Sequence, residues 1–363
     1  MVQGSSHIAL IINPTSGSAR RRKMRMHLIK HARRHLRTGK TQLGITLTRH
    51  PQHATELVAE EVARGTRLII ACGGDGTVNE TATGLIDTPA SLAIVPMGSG
   101  NGLARHLDVP LHWRHALDLA LQGPLVTMDC GRIADRNFFA TAGIGLDAEV
   151  GWAFATLNTR GLKSYIKATA QLYFHYKPRT YKLTIDGEPF ECQALMLTFA
   201  NGSQFGNNAV IAPRARVNDG MLDLVIVRPF PKMAIGVLAT LLFQGYIDMS
   251  PHVETRRFRH IHATLPGPMR GHVDGEPIEL PQELDISVRP GVLRTVAGPN
   301  APEIAGLSPR ALHPRYAVRR GAARFVRLVD PEHKSLGRRI LNLFCRPATQ
   351  KRGEGNKPLT PPR

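Results

Sequence analysis

LIIACGGDGTVN, residues Leu68 to Asn79, is an apolar run that breaks abruptly into glycines around a single carboxylate. Leu68 to Ala71 is bounded by glycine on its far side and suits a short strand at the centre of a parallel sheet, buried on both faces. Gly73, Gly74 and Gly76 then surround Asp75, and glycines at this density free the backbone to take left-handed conformations and to lie against a ligand. Thr77, Val78 and Asn79 open a helical segment, VNETATGLI, so short polar side chains and the unpaired N–H groups of a first turn face one place. That place suits a polyphosphate. A carboxylate there repels phosphate unless a divalent cation or a proton intervenes, so Asp75 reads as a Mg2+ handler or a base. A tight strand-to-helix turn with Asp75 as helix cap is the alternative.

Outward from this stretch the same grammar repeats. HIALIIN (7–13) is a first strand, and Asn13, Pro14, Thr15, Ser16 and Gly17 form the turn after it, with short polar groups fit to touch a nucleotide. A strongly basic helix follows, SARRRKMRMHLIKHARRHLR, either a solvated face or a surface for phosphate or membrane. A second strand ends at Thr48, and PQHATELVAEEVARG is a helix stopped by Gly65. SLAIVP (91–96) is another wholly apolar strand that ends in a glycine-rich turn, MGSGNGLARHL. Strand and helix in alternation, with polar glycine turns, indicate a doubly wound parallel sheet with its site at the carboxyl edge.

The chain has 363 residues, room for two domains, and a formal charge of +19 that favours polyanionic partners. Aromatic residues make up only 6%, with no basic-plus-aromatic motif of the RNA-binding kind, so nucleic acid is disfavoured. Cys72, Cys130, Cys192 and Cys345 are widely spaced, which implies neither a zinc site nor a disulfide framework and points to a reducing compartment. No signal peptide is expected at the N-terminus. MAIGVLATLLFQGYI (233–247) is too short and interrupted to span a bilayer, and reads as a buried or interfacial helix.

From about Val126 the text changes to short alternating strands: VTMDCGRI, RNFFATAG, TYKLTIDG, ECQALMLTFAN, LDLVIVR, FRHIHATL and ELDISVR. Turns at Asp186-Gly187, Asp219-Gly220 and Asp274-Gly275 separate several of them. An antiparallel β-sandwich follows, interrupted by helix from about Leu146 to Phe174 and again at PKMAIGVLATLLFQGYI. The expected division is 1–126 for an α/β nucleotide domain, 127–300 for a β-sandwich substrate domain, and 301–363 for a basic tail, helical at SLGRRILNLF and then disordered.

NPTSG (13–17), GGDGTVNE (73–80) and PMGSGNGLARHL (96–107) resemble, in order and spacing, the nucleotide-site motifs of the diacylglycerol kinase catalytic domain, a superfamily that includes the sphingosine kinases and the bacterial YegS-like lipid kinases. AGIGLDAEV (142–150), FGNNAVIAPRARVNDGMLDLVIV (205–227) and HVDGEP (272–277) resemble its later blocks, so the likeness covers roughly residues 7–298. The resemblance implies an ATP-dependent lipid kinase of phospholipid metabolism, with ATP and Mg2+ in an interdomain cleft and a diacylglycerol or sphingoid-type acceptor. It implies an ATP site lined by Asn13, Pro14, Thr15, Ser16, Gly17, Thr48, Gly73, Gly74, Asp75, Gly76, Thr77, Val78, Asn79 and Ser99. Glu276 matches the proton acceptor of the bacterial members, with Asp75 as the other candidate base or the Mg2+ partner. A further metal site is implied at Asp219 with the carbonyls of Arg216 and Met221, all hard oxygen donors.

Asp147 either faces the lipid pocket or caps a helix, and His272 is a surface or core residue. Where many diacylglycerol kinases carry an aspartate in the third motif, this chain has Gly102, closer to the sphingosine kinase form. The expected setting is cytoplasmic, with peripheral contact to an anionic membrane and a homodimer admitted. An NAD kinase-like enzyme and a non-catalytic membrane-associated nucleotide binder are the alternatives.

Overall fold

Four parallel strands run side by side in the order β2 (Gln42–Leu47), β1 (His7–Ile12), β3 (Leu68–Gly73), β4 (Ser91–Pro96) in a computed structural model of the chain. It describes residues 7–17, 19–36, 42–156 and 172–304. Every residue of β3 and β4 is buried, so both faces of the sheet are covered, as unbroken apolar runs require. The basic helix α1 (Ala19–Leu36) buries Leu28 and Ala32, one turn apart on one face. Helices α2 (His53–Ala63), α3 (Asp75–Leu85), α4 (Gly102–His106) and α5 (Trp113–Gln122) complete the α/β part. Helix α2 has no cap of its own, and Glu80 of α3 supplies one by accepting the N–H groups of Gln52 and Ala54.

The remainder is built from β5 (Leu125–Ile133), β6 (Arg136–Phe138), β7 (Thr141–Gly145), α6 (Leu146–Thr156), β8 (Arg179–Ile185), β9 (Glu188–Ala194), β10 (Met196–Ala200), β11 (Leu222–Val227), α7 (Ile235–Gln244), β12 (Val253–Phe258), β13 (His260–Thr264), β14 (Met269–Val273), β15 (Glu276–Leu280) and β16 (Glu283–Val296). One antiparallel sheet has the order β12-β11-β10-β7-β14-β15. It faces a second layer across a core of Phe138, Ile144, Tyr181, Phe199, Phe258 and Ile286. That second layer is continuous with the parallel sheet, because β16 pairs with β13 at one end and, in parallel, with β4 at Arg294 and Thr295. The register shifts between Arg289 and Leu293, where Gly291 takes φ +64° and turns the strand from one sheet segment to the next.

Two single strands expected from sequence are each two strands. RNFFATAG divides into β6 and β7, and ECQALMLTFAN divides at Leu195 into β9 and β10, which belong to different sheets. Helix α6 covers Leu146–Thr156, while residues 157–171 and 305–363, including SLGRRILNLF and Cys345, lie outside the described residues. The other cysteines are free and buried. No described helix is long and apolar enough to cross a membrane.

Candidate nucleotide and phosphoryl-transfer site

The carboxyl ends of β1, β2, β3 and β4 open onto one edge, and each delivers a segment singled out in the sequence. Asn13 follows β1, with its amide donating to Thr77 Oγ1 (3.0 Å) and its side-chain oxygen accepting from the N–H and hydroxyl of Thr15. Pro14 lends its carbonyl to Arg25 of α1. Ser16 Oγ accepts from Gly74 N (3.2 Å), and Gly17 turns the loop with φ +80°. Thr48 is buried beyond β2 and its N–H bonds Ile12 O. Ser99 stands exposed on the loop after β4.

None of the three glycines around Asp75 has a left-handed backbone, contrary to the sequence expectation. Their use is close approach. A Cβ on Gly73 would fall 2.4 Å from the Thr77 side chain, and one on Gly76 would fall 2.0 Å from Glu276 Oε1. Gly74 lies against the other glycine loop, where a Cβ on Gly98 would meet Gly74 Cα at 2.6 Å. The two loops therefore touch backbone to backbone, leaving amides rather than side chains at the edge.

Asp75 spans these loops. Its Oδ2 accepts from Asn101 N (2.9 Å) and its Oδ1 from Gly102 N (2.7 Å), so it caps α4 rather than its own helix. Burial pushes its carboxyl up to about 6, against the lowering by these two N–H bonds, and the charge of Asp274 adds to the rise. A Cβ on Gly100 would stand 3.0 Å from Asp75 Oδ2, so glycine keeps that side of the carboxylate open. A hard-oxygen donor beside an edge suited to phosphate fits a divalent cation. Gly102 has the carbonyls of Gln204 and Phe205 at 3.0 and 3.2 Å from its missing Cβ, so a side chain there would require the 204–206 segment to move.

Glu276 begins β15 and lies against Gly76, with no hydrogen-bond donor to its carboxylate among the described residues. Although the residue is exposed at the head of β15, the solvent its carboxylate loses against Gly76 raises its pKa, and the negative charges of Glu80, Asp274 and Asp75 push the same way against Arg136. Asp274, read from sequence only as a turn residue, is what holds this arrangement. Its φ is +46°, and its carboxylate accepts from Asn79 Nδ2 (2.8 Å) and from the N–H groups of Phe139, Ala140 and Thr141. Asn79 thus points away from the phosphate edge and ties α3 to the β-sandwich. Val78 is buried and its N–H bonds Gly74 O, so neither faces the edge. The signal for Asp274 in the sequence was its place two residues before Glu276 in a turn too tight to be incidental.

Other expected residues lie elsewhere. Asp219 accepts from Met221 N (3.2 Å) and pairs with Arg257. That carboxylate is held by a guanidinium here, so a cation at the turn with Arg216 and Met221 would have to displace Arg257, and no step is derived through one. Asp147 caps the N-terminus of α6 through Ala148 N and is buried against Thr198 and His272 Nε2 (3.1 Å). His272 is a core residue.

Residues 7–133 match the model of the diacylglycerol kinase catalytic domain, and residues 140–297 match that of the YegS C-terminal NAD kinase beta sandwich-like domain. A probable lipid kinase YegS-like of Pseudomonas fluorescens is 32% identical over 275 residues, covering 73% of this chain and 88% of that protein. A diacylglycerol kinase of Mycobacterium tuberculosis is 29% identical, covering 67% and 81%. The crystal structure of a diacylglycerol kinase from Bacillus anthracis superposes with a TM-score of 0.62 at 22% identity, covering 82% of this chain and 99% of that one, a likeness of fold. Matched in both halves and along most of its relatives' length, the chain belongs to the YegS-like lipid kinases built on a diacylglycerol kinase catalytic domain.

Proposed function

We propose that the chain transfers the γ-phosphate of ATP to a hydroxyl of a lipid, with the transfer centred between the glycine loops and Glu276. The observation that carries this is the contact of Glu276 with Gly76: it sets a carboxylate with a raised pKa directly on the loop suited to phosphate. The N–H groups of Ser16, Gly17, Ser99 and Gly100 hold phosphate oxygens, whereas those of Thr15, Gly74, Gly98, Asn101 and Gly102 are taken up within the loops and shape them. The lipid oxygen attacks the γ-phosphorus, the bond to ADP breaks, and the hydroxyl proton passes to Glu276. Asp75 is the carboxylate that would hold a divalent cation, which supplies neutralisation of phosphate charge. Arg105, whose Nε donates to Gly100 O (3.0 Å), fixes the second glycine loop.

Diacylglycerol and a sphingoid base are the acceptor classes favoured by the family. Meeting either requires contact with a membrane, and a formal charge of +19 suits an anionic one. The test is transfer of labelled phosphate from ATP and Mg2+ to diacylglycerol, monoacylglycerol, sphingosine and ceramide in mixed micelles, with NAD as a soluble acceptor. One labelled lipid names the acceptor. Labelled NAD alone, or ATP binding with no labelled product, rejects the proposal.

A further inference from the structure

Helix α7, IGVLATLLFQ, carries no charged residue, yet Leu238 is its only fully buried side chain. Leu238, Leu241 and Leu242 pack on the outer face of β11 with Ile211 and Val225. The opposite side is left to solvent. Val237 is 38% exposed, and Met233, in the turn leading into the helix, is 93% exposed. Beside them Phe174 is 49% exposed, held there because Tyr173 stacks on Phe230 (4.7 Å) and donates its hydroxyl to Phe230 O. Isolated apolar residues on a surface are ordinary, but a gathered set on two adjoining segments is not.

The charges on the two segments that carry this patch have one sign, and the acidic groups beyond them, Glu149, Asp248 and Glu254, are each paired with an arginine. Lys232 Nζ stands 5.2 Å from the centre of the Phe174 ring, and Lys177 is exposed on the same segment. From Leu224 to Ile247 and from Leu172 to Ile185 the sequence contains no aspartate or glutamate. Apolar tips within a cationic rim match an anionic bilayer, whose headgroups attract the rim while its acyl region accepts the tips. Inward, Leu242 O accepts from Val210 N (3.0 Å), and the same loop carries Phe205, whose carbonyl reaches Gly102 of the second glycine loop. The patch therefore adjoins the transfer site through a single loop.

We propose that Phe174, Met233 and the exposed side of α7 enter an anionic bilayer, with Lys232 and Lys177 at the headgroups, and that the acceptor is taken up along this edge. The proposal rests on the lipid-acceptor reading for uptake, whereas the docking itself is measurable without turnover.

The experiment is co-sedimentation of the full chain, without ATP, with vesicles of equal phosphatidylglycerol and phosphatidylcholine, and with phosphatidylcholine alone. Met233→Glu and Phe174→Ser are each expected to weaken binding about tenfold, the order of one apolar side chain withheld from hydrocarbon. Lys232→Glu should weaken binding to the anionic vesicles only. Transfer to a short-chain, monomeric form of the acceptor should be unchanged in Met233→Glu, which separates docking from catalysis. Binding equal to the unsubstituted chain in Met233→Glu and Phe174→Ser would overturn the proposal. So would a concentration-dependent dimer that Met233→Glu makes monomeric while vesicle binding persists, because the face would then belong to a second copy of the chain.

Discussion

Glu276 and Gly76 act as a pair. Because a Cβ at Gly76 would fall 2.0 Å from Glu276 Oε1, Gly76→Ala must push the carboxylate off the loop. The expected result is a fall in kcat of about a hundredfold or more, the scale of a misplaced general base, with the KM for ATP changed far less. Steady-state kinetics on the labelled acceptor check this. Asp75 predicts a different observable. Its pKa lies above its ordinary value of 3.8, at about 6, so the folded chain binds this proton more tightly than the unfolded one. Between those two pH values ionisation of Asp75 costs stability as pH rises, the cost being absent below the window and complete above it. Subtracting the denaturation profile of Asp75→Ala from that of the unsubstituted chain should isolate a contribution that falls across this window. A flat difference would mean that the burial assigned to Asp75 is wrong.

At the scale of elements, the tie between α3 and the β-sandwich is Asn79 to Asp274. Asp274→Ala removes an acceptor from four donors, three of them backbone N–H groups, and should cost about 2–4 kcal/mol in denaturant unfolding together with most of the activity. Asn79→Ala loses the bond to Asp274 and a second to Asn137 O, and should cost about 1–2 kcal/mol. The parallel sheet was legible because LIIACG and SLAIVP are short apolar runs closed by glycine turns and alternating with helical stretches, the pattern of strands covered on both faces. The path of β16 was not legible. ELDISVR alternates as a strand should, but pairing of Arg294 with Ser91 joins residues some two hundred positions apart, and no local pattern encodes a partner at that distance. Splitting at Leu195 was hidden for a related reason, since ECQALMLTFAN has no glycine or proline where the chain changes sheets. For the glycine loops the sequence marked where but not why: density of glycine signals either left-handed backbone or close approach, and here it is close approach.

For the whole molecule, a charge of +19, glycine loops at one sheet edge and a β-sandwich that brings Glu276 to them are the features on which the proposed transfer to a surface-borne acceptor rests. The raised pKa of Glu276 further predicts that turnover declines as pH falls through it, because the base must be unprotonated. The most direct test is labelled phosphate transfer to lipid by the unsubstituted chain and by Glu276→Gln, with ATP binding measured on the same samples. Loss of transfer by about a hundredfold or more in Glu276→Gln, with ATP binding retained, is the predicted result. Undiminished transfer in Glu276→Gln would contradict the role of Glu276 as the base and return that role to Asp75.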